Sequence, residues 1–168
     1  MYVGYIAMKL EIHSAVSFLA QLVRLQANGL TETQLELFKG ALSELLSMRY
    51  RYHWFPDKPH RGSAYRCLRI NSCMDPVIAK AGETVGVPTD YLRRLFPSEL
   101  TMWIDPAEVS YRIGENGSIC ILYTPPRGPM VSMPLTENTE FLMERVHGPP
   151  APTTTLEAKY DLSTYATS

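Results

Sequence analysis

Cysteine is scarce, with three in 168 residues. Cys67, Cys73 and Cys120 are odd in number, show no CxxC spacing and follow no recognisable signal peptide, so a disulfide-built secreted scaffold is not expected. Net charge is missing as well. Sixteen basic side chains stand against seventeen acidic ones, for -1 at pH 7, so no whole-molecule field draws the chain to nucleic acid or to an acidic membrane. Long apolar runs are lacking: the opening MYVGYIAM is apolar for eight residues and carries no basic segment, so neither secretion nor a membrane span is expected, and the compartment reads as intracellular and reducing. No repeat recurs at a solenoid period. His13, His53, His60 and His147 are too scattered for HExxH or paired zinc spacing, and Cys67 has no base beside it in sequence. An enzyme, a metal or a cofactor is therefore not expected.

What is present suits one globular domain: 45% hydrophobic and 20% charged residues. Seven of the thirteen prolines fall between Pro125 and Pro152, and from residue 128 the composition turns to Pro, Thr, Ser and scattered charge. Such a segment buries too little apolar surface to offset its ordering entropy. A domain over 1–127 and a mostly disordered tail over 128–168 are expected. Apolar residues at Ile12, Ala15, Val16, Leu19, Leu22 and Val23 form one helical stripe within 9–26, ended by Asn28-Gly29. Thr31 with Gln34 has capping-box spacing, and Leu35, Phe38, Leu42, Leu45 and Leu46 predict a second helix to about Tyr50. Asp75-Pro76 opens a third helix that stops at Gly86, and a fourth is expected over 89–96. Strands are predicted around 64–70, over 100–105, over 108–113 and over 118–123, the last two joined at Glu115-Asn116-Gly117. The fold class is α+β: several helices packed around a small, largely antiparallel sheet.

Charge is segregated. Residues 49–71 carry six basic side chains and one acid, whereas 99–168 carry nine acids and four bases. Tyr50, Tyr52, Trp54, Phe55 and Tyr65 interleave with the positive charge, a mixture that lets rings stack on bases while cations hold phosphates. The same mixture arises when aromatics fill the core under a helix-to-strand corner and basic stems cover them with their charged ends in water. No RNP box or GXXG loop is present, so direct single-stranded RNA binding stays an alternative and is not the expectation.

Alternation over 100–105 carries a second inference. An extended segment puts Leu100, Met102 and Ile104 on one side and Thr101, Trp103 and Asp105 on the other. With the apolar trio facing the core, an indole and a carboxylate share the outer side, a pairing that suits a recognition surface. The alternative is that Trp103 lies under a loop while Asp105, before Pro106, forms an Asx-type turn. Tyr111 shares the core-facing side of its strand with Val109 and Ile113.

These residues resemble something known. Tyr52-His53-Trp54-Phe55-Pro56-Asp57-Lys58-Pro59, followed by Gly62-Ser63-Ala64-Tyr65-Arg66-Cys67, resembles the first signature box of the BTG/Tob antiproliferative family. Residues 95–115, with Pro97-Ser98-Glu99-Leu100-Thr101 and Trp103-Ile104-Asp105-Pro106, resemble the second box. The likeness extends over about 9–123 and is closer to the short BTG branch than to the longer Tob proteins. It implies a non-enzymatic adaptor, without cofactor, that binds the catalytic poly(A)-nuclease subunit of the Not-type deadenylase complex, promotes mRNA deadenylation and restrains proliferation in cytoplasm and nucleus. It also implies that Tyr65, Trp103 and Asp105 contact the nuclease, with His53 and Ala107 as secondary partner-binding candidates. The corner 53–65 and an edge 103–105 would then make one concave contact.

The chain departs from the family pattern at several positions. Ala107 stands where the second box usually has Tyr or Phe, Asp57 replaces Glu, and Arg61 replaces Lys. Loss of an aromatic beside Trp103 would cost about 1–2 kcal/mol if that ring were a hot-spot neighbour. The third box of the BTG branch survives only as a remnant at 141–145, with no Ser-Pro following, so recruitment of poly(A)-binding protein is not carried over. Leu42-Ser43-Glu44-Leu45-Leu46 is an LxxLL of the type that docks transcription factors such as nuclear receptors, but the same leucines form the inward stripe of the second helix.

Overall fold

The computed structural model describes residues 2–126. The tail expected over 128–168, the domain boundary at 127 and the third-box remnant at 141–145 lie outside the described residues.

Helix α1 (Tyr2–Arg24) buries the stripe that its spacing predicts, Ile12, Ala15, Val16, Leu19, Leu22 and Val23. It ends where Gly29 passes so close to the helix that a Cβ there would sit 2.6 Å from the Val23 carbonyl oxygen. Helix α2 (Glu32–Tyr50) opens on a true capping box: the Gln34 N–H donates to Thr31 Oγ1, and the Thr31 N–H donates to Gln34 Oε1 at 3.1 Å. Its inward face is Leu35, Phe38, Leu42, Leu46 and Tyr50, all buried, and each such side chain contributes about 1.5–3 kcal/mol by leaving water. Leu42 and Leu46, two of the three LxxLL leucines, are fully buried, whereas Leu45, expected on the same stripe, is part-exposed at its margin.

A four-residue turn of helix, α3 (Ser63–Arg66), precedes β1 (Leu68–Ile70). The sequence pattern predicts a strand around 64–70. Instead Gly62, at φ 77°, starts a helical turn whose carbonyl accepts from the N–H groups of Tyr65 and Arg66. That turn rotates the Arg66 side chain inward.

Asp75 caps α4 (Pro76–Thr84) by accepting from the Val77 N–H at 2.9 Å, and its other oxygen accepts from the Arg69 N–H at 3.1 Å, which ties the helix to β1. Helix α5 (Thr89–Arg94) is shorter than the expected 89–96, with Leu95 and Phe96 buried just after it.

Strands β2 (Leu100–Asp105), β3 (Glu108–Ile113) and β4 (Cys120–Tyr123) complete an antiparallel sheet of order β1-β2-β3-β4. Helix α1 covers one face of β2, β3 and β4, α2 packs against α1 and α4, and α3 packs on β2. Two expectations change here. The 103–105 segment is not an edge: β2 is bonded on both sides, and β1 and β4 are the sheet's edges. The last strand starts two residues later than predicted and pairs through a bulge at Val109/Ser110, which puts Ile121 opposite Ser110.

Candidate protein-docking face

Burial along β2 follows a strict alternation. Leu100, Met102 and Ile104 are buried against the helices, and Thr101, Trp103 and Asp105 are part-exposed on the other side. Trp103 lies directly opposite Ser110, and the guanidinium of Arg112 stands 6.0 Å from its ring centroid. The indole is therefore half-buried on the sheet's outer face and not sealed in the core. Tyr111, on the core side, is buried and stacks on Phe18 with centroids 4.4 Å apart.

The first box folds as a loop wound around one cation. Arg66 is fully buried, and each of its five N–H groups has an acceptor. Nε donates to the Ile104 carbonyl at 2.9 Å; Nη1 donates to the carbonyls of His53 at 2.6 Å and Arg61 at 2.8 Å. Nη2 donates to the Pro59 carbonyl and to Asp105 Oδ1, both at 2.7 Å. This differs from the expectation that the basic stems of the corner keep their charged ends in water. Arg66 does the opposite, because three loop carbonyls, one strand carbonyl and a carboxylate replace its hydration.

The rings of the box pack onto this frame. Tyr50, fully buried, donates its hydroxyl to the Arg66 carbonyl at 2.6 Å and stacks on Trp54 at 6.3 Å; burial pushes its phenol far above the usual range. The Arg66 guanidinium stands 5.4 Å from the Trp54 centroid, and Arg61 stands 4.4 Å from that of Phe55. Tyr65, 42% exposed, stacks on His53 at 3.9 Å. Arg49 stands 4.8 Å from the Tyr65 centroid and donates to its carbonyl at 3.1 Å. Each cation–π contact of this kind is worth about 0.5–1 kcal/mol at an exposed site.

The structure thus brings the predicted residues together through α3 and β2. Tyr65 and His53 form one stacked pair, and Ser63, two residues before Tyr65, donates its hydroxyl to Asp105 Oδ2 at 2.8 Å. Asp105 keeps to Trp103's side of the sheet, but its side chain is only 14% exposed and both oxygens are turned to α3. Its work within the chain is to hold the first box onto the strand that carries Trp103. Ala107 occupies the second turn position between β2 and β3, exposed, at φ 65°; Pro106 before it and the positive φ match a type II turn.

Glu11 was missed by the sequence reading. It is a buried carboxylate on α1 whose Oε1 accepts from the Ala107 N–H at 3.0 Å and whose Oε2 has no hydrogen-bond partner. Burial raises its pKa above the usual carboxylate value, with the Ala107 bond opposing. The signal was legible, since Glu11 lies within the apolar stripe beside Ile12 and Ala15. Arg66 gave no such signal, because its acceptors are mostly backbone carbonyls.

The class is now defined: an α+β domain that bolts an aromatic, cation-rich loop to the outer face of an internal strand. The BTG family profile matches residues 8–123. Human Protein BTG1 is 56% identical over 114 residues, 67% of this chain and 66% of its own, so the match spans just under two thirds of that relative. Human Protein Tob1 is 40% identical over 116 residues, 69% of this chain and 33% of its own. Among solved structures, a doubly substituted form of the C. elegans FOG-3 BTG/Tob domain superposes with a TM-score of 0.61 at 22% identity, over 69% of this chain and 90% of that one. The chain belongs to the BTG family, and its fold is that of a BTG/Tob domain.

Proposed function

We propose that this protein is a non-enzymatic antiproliferative adaptor that binds the catalytic poly(A)-nuclease subunit of the Not-type deadenylase complex and promotes mRNA deadenylation, acting in cytoplasm and nucleus. The docking face is the outer side of β2 with the stacked Tyr65–His53 pair beside it. One observation carries the reading: Trp103 is part-exposed on a strand whose alternate residues are sealed in the core. Large rings presented on rigid backbone are the usual anchors of protein interfaces. Four of the corner's six cations support a protein partner over RNA, since Arg66 is buried and Arg49, Arg51 and Arg61 lie against Tyr65, Tyr52 and Phe55, while Lys58 and Arg69 are exposed. An LxxLL docking mode would require pulling Leu42 and Leu46 out of the core. Poly(A)-binding protein has no part in this reading.

The test is calorimetric titration with the purified nuclease subunit and reconstituted deadenylation. Trp103→Ala should lose at least about 2 kcal/mol of binding, as a hot-spot ring does, with a cooperative melt retained. Full binding by the variant, or no stimulation of tail shortening by the wild-type chain, would overturn the proposal.

A further inference from the structure

We propose that the row Arg69–Thr101–Arg112, on the sheet face that carries Trp103, seats an acidic side chain of the bound nuclease, an inference that rests on the adaptor reading above. The pairing registers place Arg69 opposite Thr101 and Thr101 opposite Arg112. Directly paired residues share a face, so the three side chains form one transverse line on the side away from the helices. With strands about 4.8 Å apart, the two arginine Cα atoms are separated by about 10 Å. Two guanidinium groups on that spacing can close on a single carboxylate, with the threonine hydroxyl between them. The row lines a cavity of about 140 Å³.

Three observations point to a missing acceptor. Neither guanidinium forms an ion pair with a carboxylate among the described residues. The Nε of Arg112 is buried without a hydrogen-bond partner, and a buried donor left unpaired costs about 1–3 kcal/mol. Arg112 also stands beside the Trp103 ring, so an acid seated there would be continuous with the indole's contact. Glu99 and Glu115 line the same cavity, and Glu99 Oε2 accepts from the Glu115 N–H at 3.0 Å. Their charge opposes a phosphodiester backbone with its succession of negative groups. A single carboxylate on a polypeptide, which also brings N–H donors for the glutamates, suits the mixed lining.

The experiment measures Kd for the purified nuclease subunit at low and high salt, with wild type, Arg69→Ala, Arg112→Ala and Arg112→Lys, alongside gel retardation of single-stranded poly(A) by the chain alone. Each alanine variant should bind about tenfold more weakly and show a shallower salt dependence. Arg112→Lys should recover the salt slope but only part of the affinity, because it lacks the planar fork. Affinity unchanged within about twofold in both alanine variants, while wild type binds, overturns the seat and leaves the adaptor reading standing. Weaker binding with an unchanged salt slope also overturns it, since it marks Arg112 as mere support for the indole. Retardation of poly(A) that depends on the two arginines assigns the row to a phosphate and overturns the proposal. If wild type fails to bind the nuclease, the adaptor reading falls and this inference falls with it. Should Arg112→Ala lose its fold, Arg69→Ala decides, because that side chain is exposed and forms no hydrogen bond or ion pair among the described residues.

Discussion

Replacing Asp105 by alanine should cost the domain much of its stability. The carboxylate accepts from Arg66 Nη2 at 2.7 Å and from the Ser63 hydroxyl at 2.8 Å. Its removal strands a guanidinium whose side chain is fully buried, and an uncompensated buried charge costs about 3–5 kcal/mol. Asp105 is itself 14% exposed, and four of the five Arg66 donors keep their carbonyl acceptors. Both facts favour the lower end, about 3 kcal/mol. For a domain of this size, at about 3–4 °C per kcal/mol, Tm should fall by about 10 °C. Asp105→Asn, which keeps one oxygen toward Arg66, should lose about half as much. Thermal unfolding followed by circular dichroism reads both variants, with Trp103→Ala as the reference because its ring supports no comparable network. An Asp105→Ala melt within about 2 °C of wild type would refute the account of Arg66 as the hub of the first box. In a test of the proposed docking, lost nuclease affinity in Asp105→Ala would report a displaced α3 as readily as a lost contact.

Two further perturbations probe the turn beyond β2. Burial lifts the folded-state pKa of Glu11 above its ordinary 4.5, so the folded chain holds that proton more tightly than the unfolded one. The associated stability is complete below the unfolded pKa and is lost as pH rises through the folded value. Glu11→Gln, which keeps an oxygen for the Ala107 N–H and never ionises, should gain on wild type across that window and then run parallel to it; urea unfolding at a series of pH values checks this. Ala107 sits at φ 65°, where a Cβ costs about 1–2 kcal/mol, against about 0.5–1 kcal/mol of extra unfolded-chain entropy for glycine. Ala107→Gly should therefore stabilise by about 0.5 kcal/mol in the same unfolding measurement.

Most of the element order was legible because local signals agreed with tertiary demands. The Thr31–Gln34 box, the Asp75-Pro76 cap and the alternation over 100–105 all describe interactions that span a few residues. The alternation also placed Trp103 and Asp105 on one side of the sheet, and the part-exposed indole agrees with it. What stayed hidden depends on contacts between distant segments. Periodicity holds no record of strand order, so the sequence alone could not place β2 between β1 and β3. The helical turn at Ser63–Arg66 exists because Arg66 must reach Ile104 and Asp105, 38 and 39 residues away. An arginine within a basic stretch looks like any other, and only three-dimensional closure distinguishes the buried one. The Arg69–Thr101–Arg112 row was invisible for the same reason, since it draws one residue from each of three strands.

If Trp103 is the docking anchor proposed above, an internal strand is the place for it. With β2 hydrogen-bonded to both neighbours and Met102 and Ile104 fully buried beneath it, the backbone under Trp103 opens only when the core opens. The indole is then presented at little ordering cost, and a partner's contact energy is not spent on fixing the strand. Tyr65 lacks that advantage, because α3 is a single turn at the end of a loop. The Arg66–Asp105 pair supplies what the short helix cannot. A buried ion pair is poor evidence of stability for its own sake, since apolar replacements often do as well. An apolar pair, however, would leave the carbonyls of His53, Pro59, Arg61 and Ile104 without the donors that Arg66 now gives them. The ionic hub therefore fixes position: it locks the loop that bears Tyr65 to the strand that bears Trp103, the preorganisation that the proposed docking face calls for.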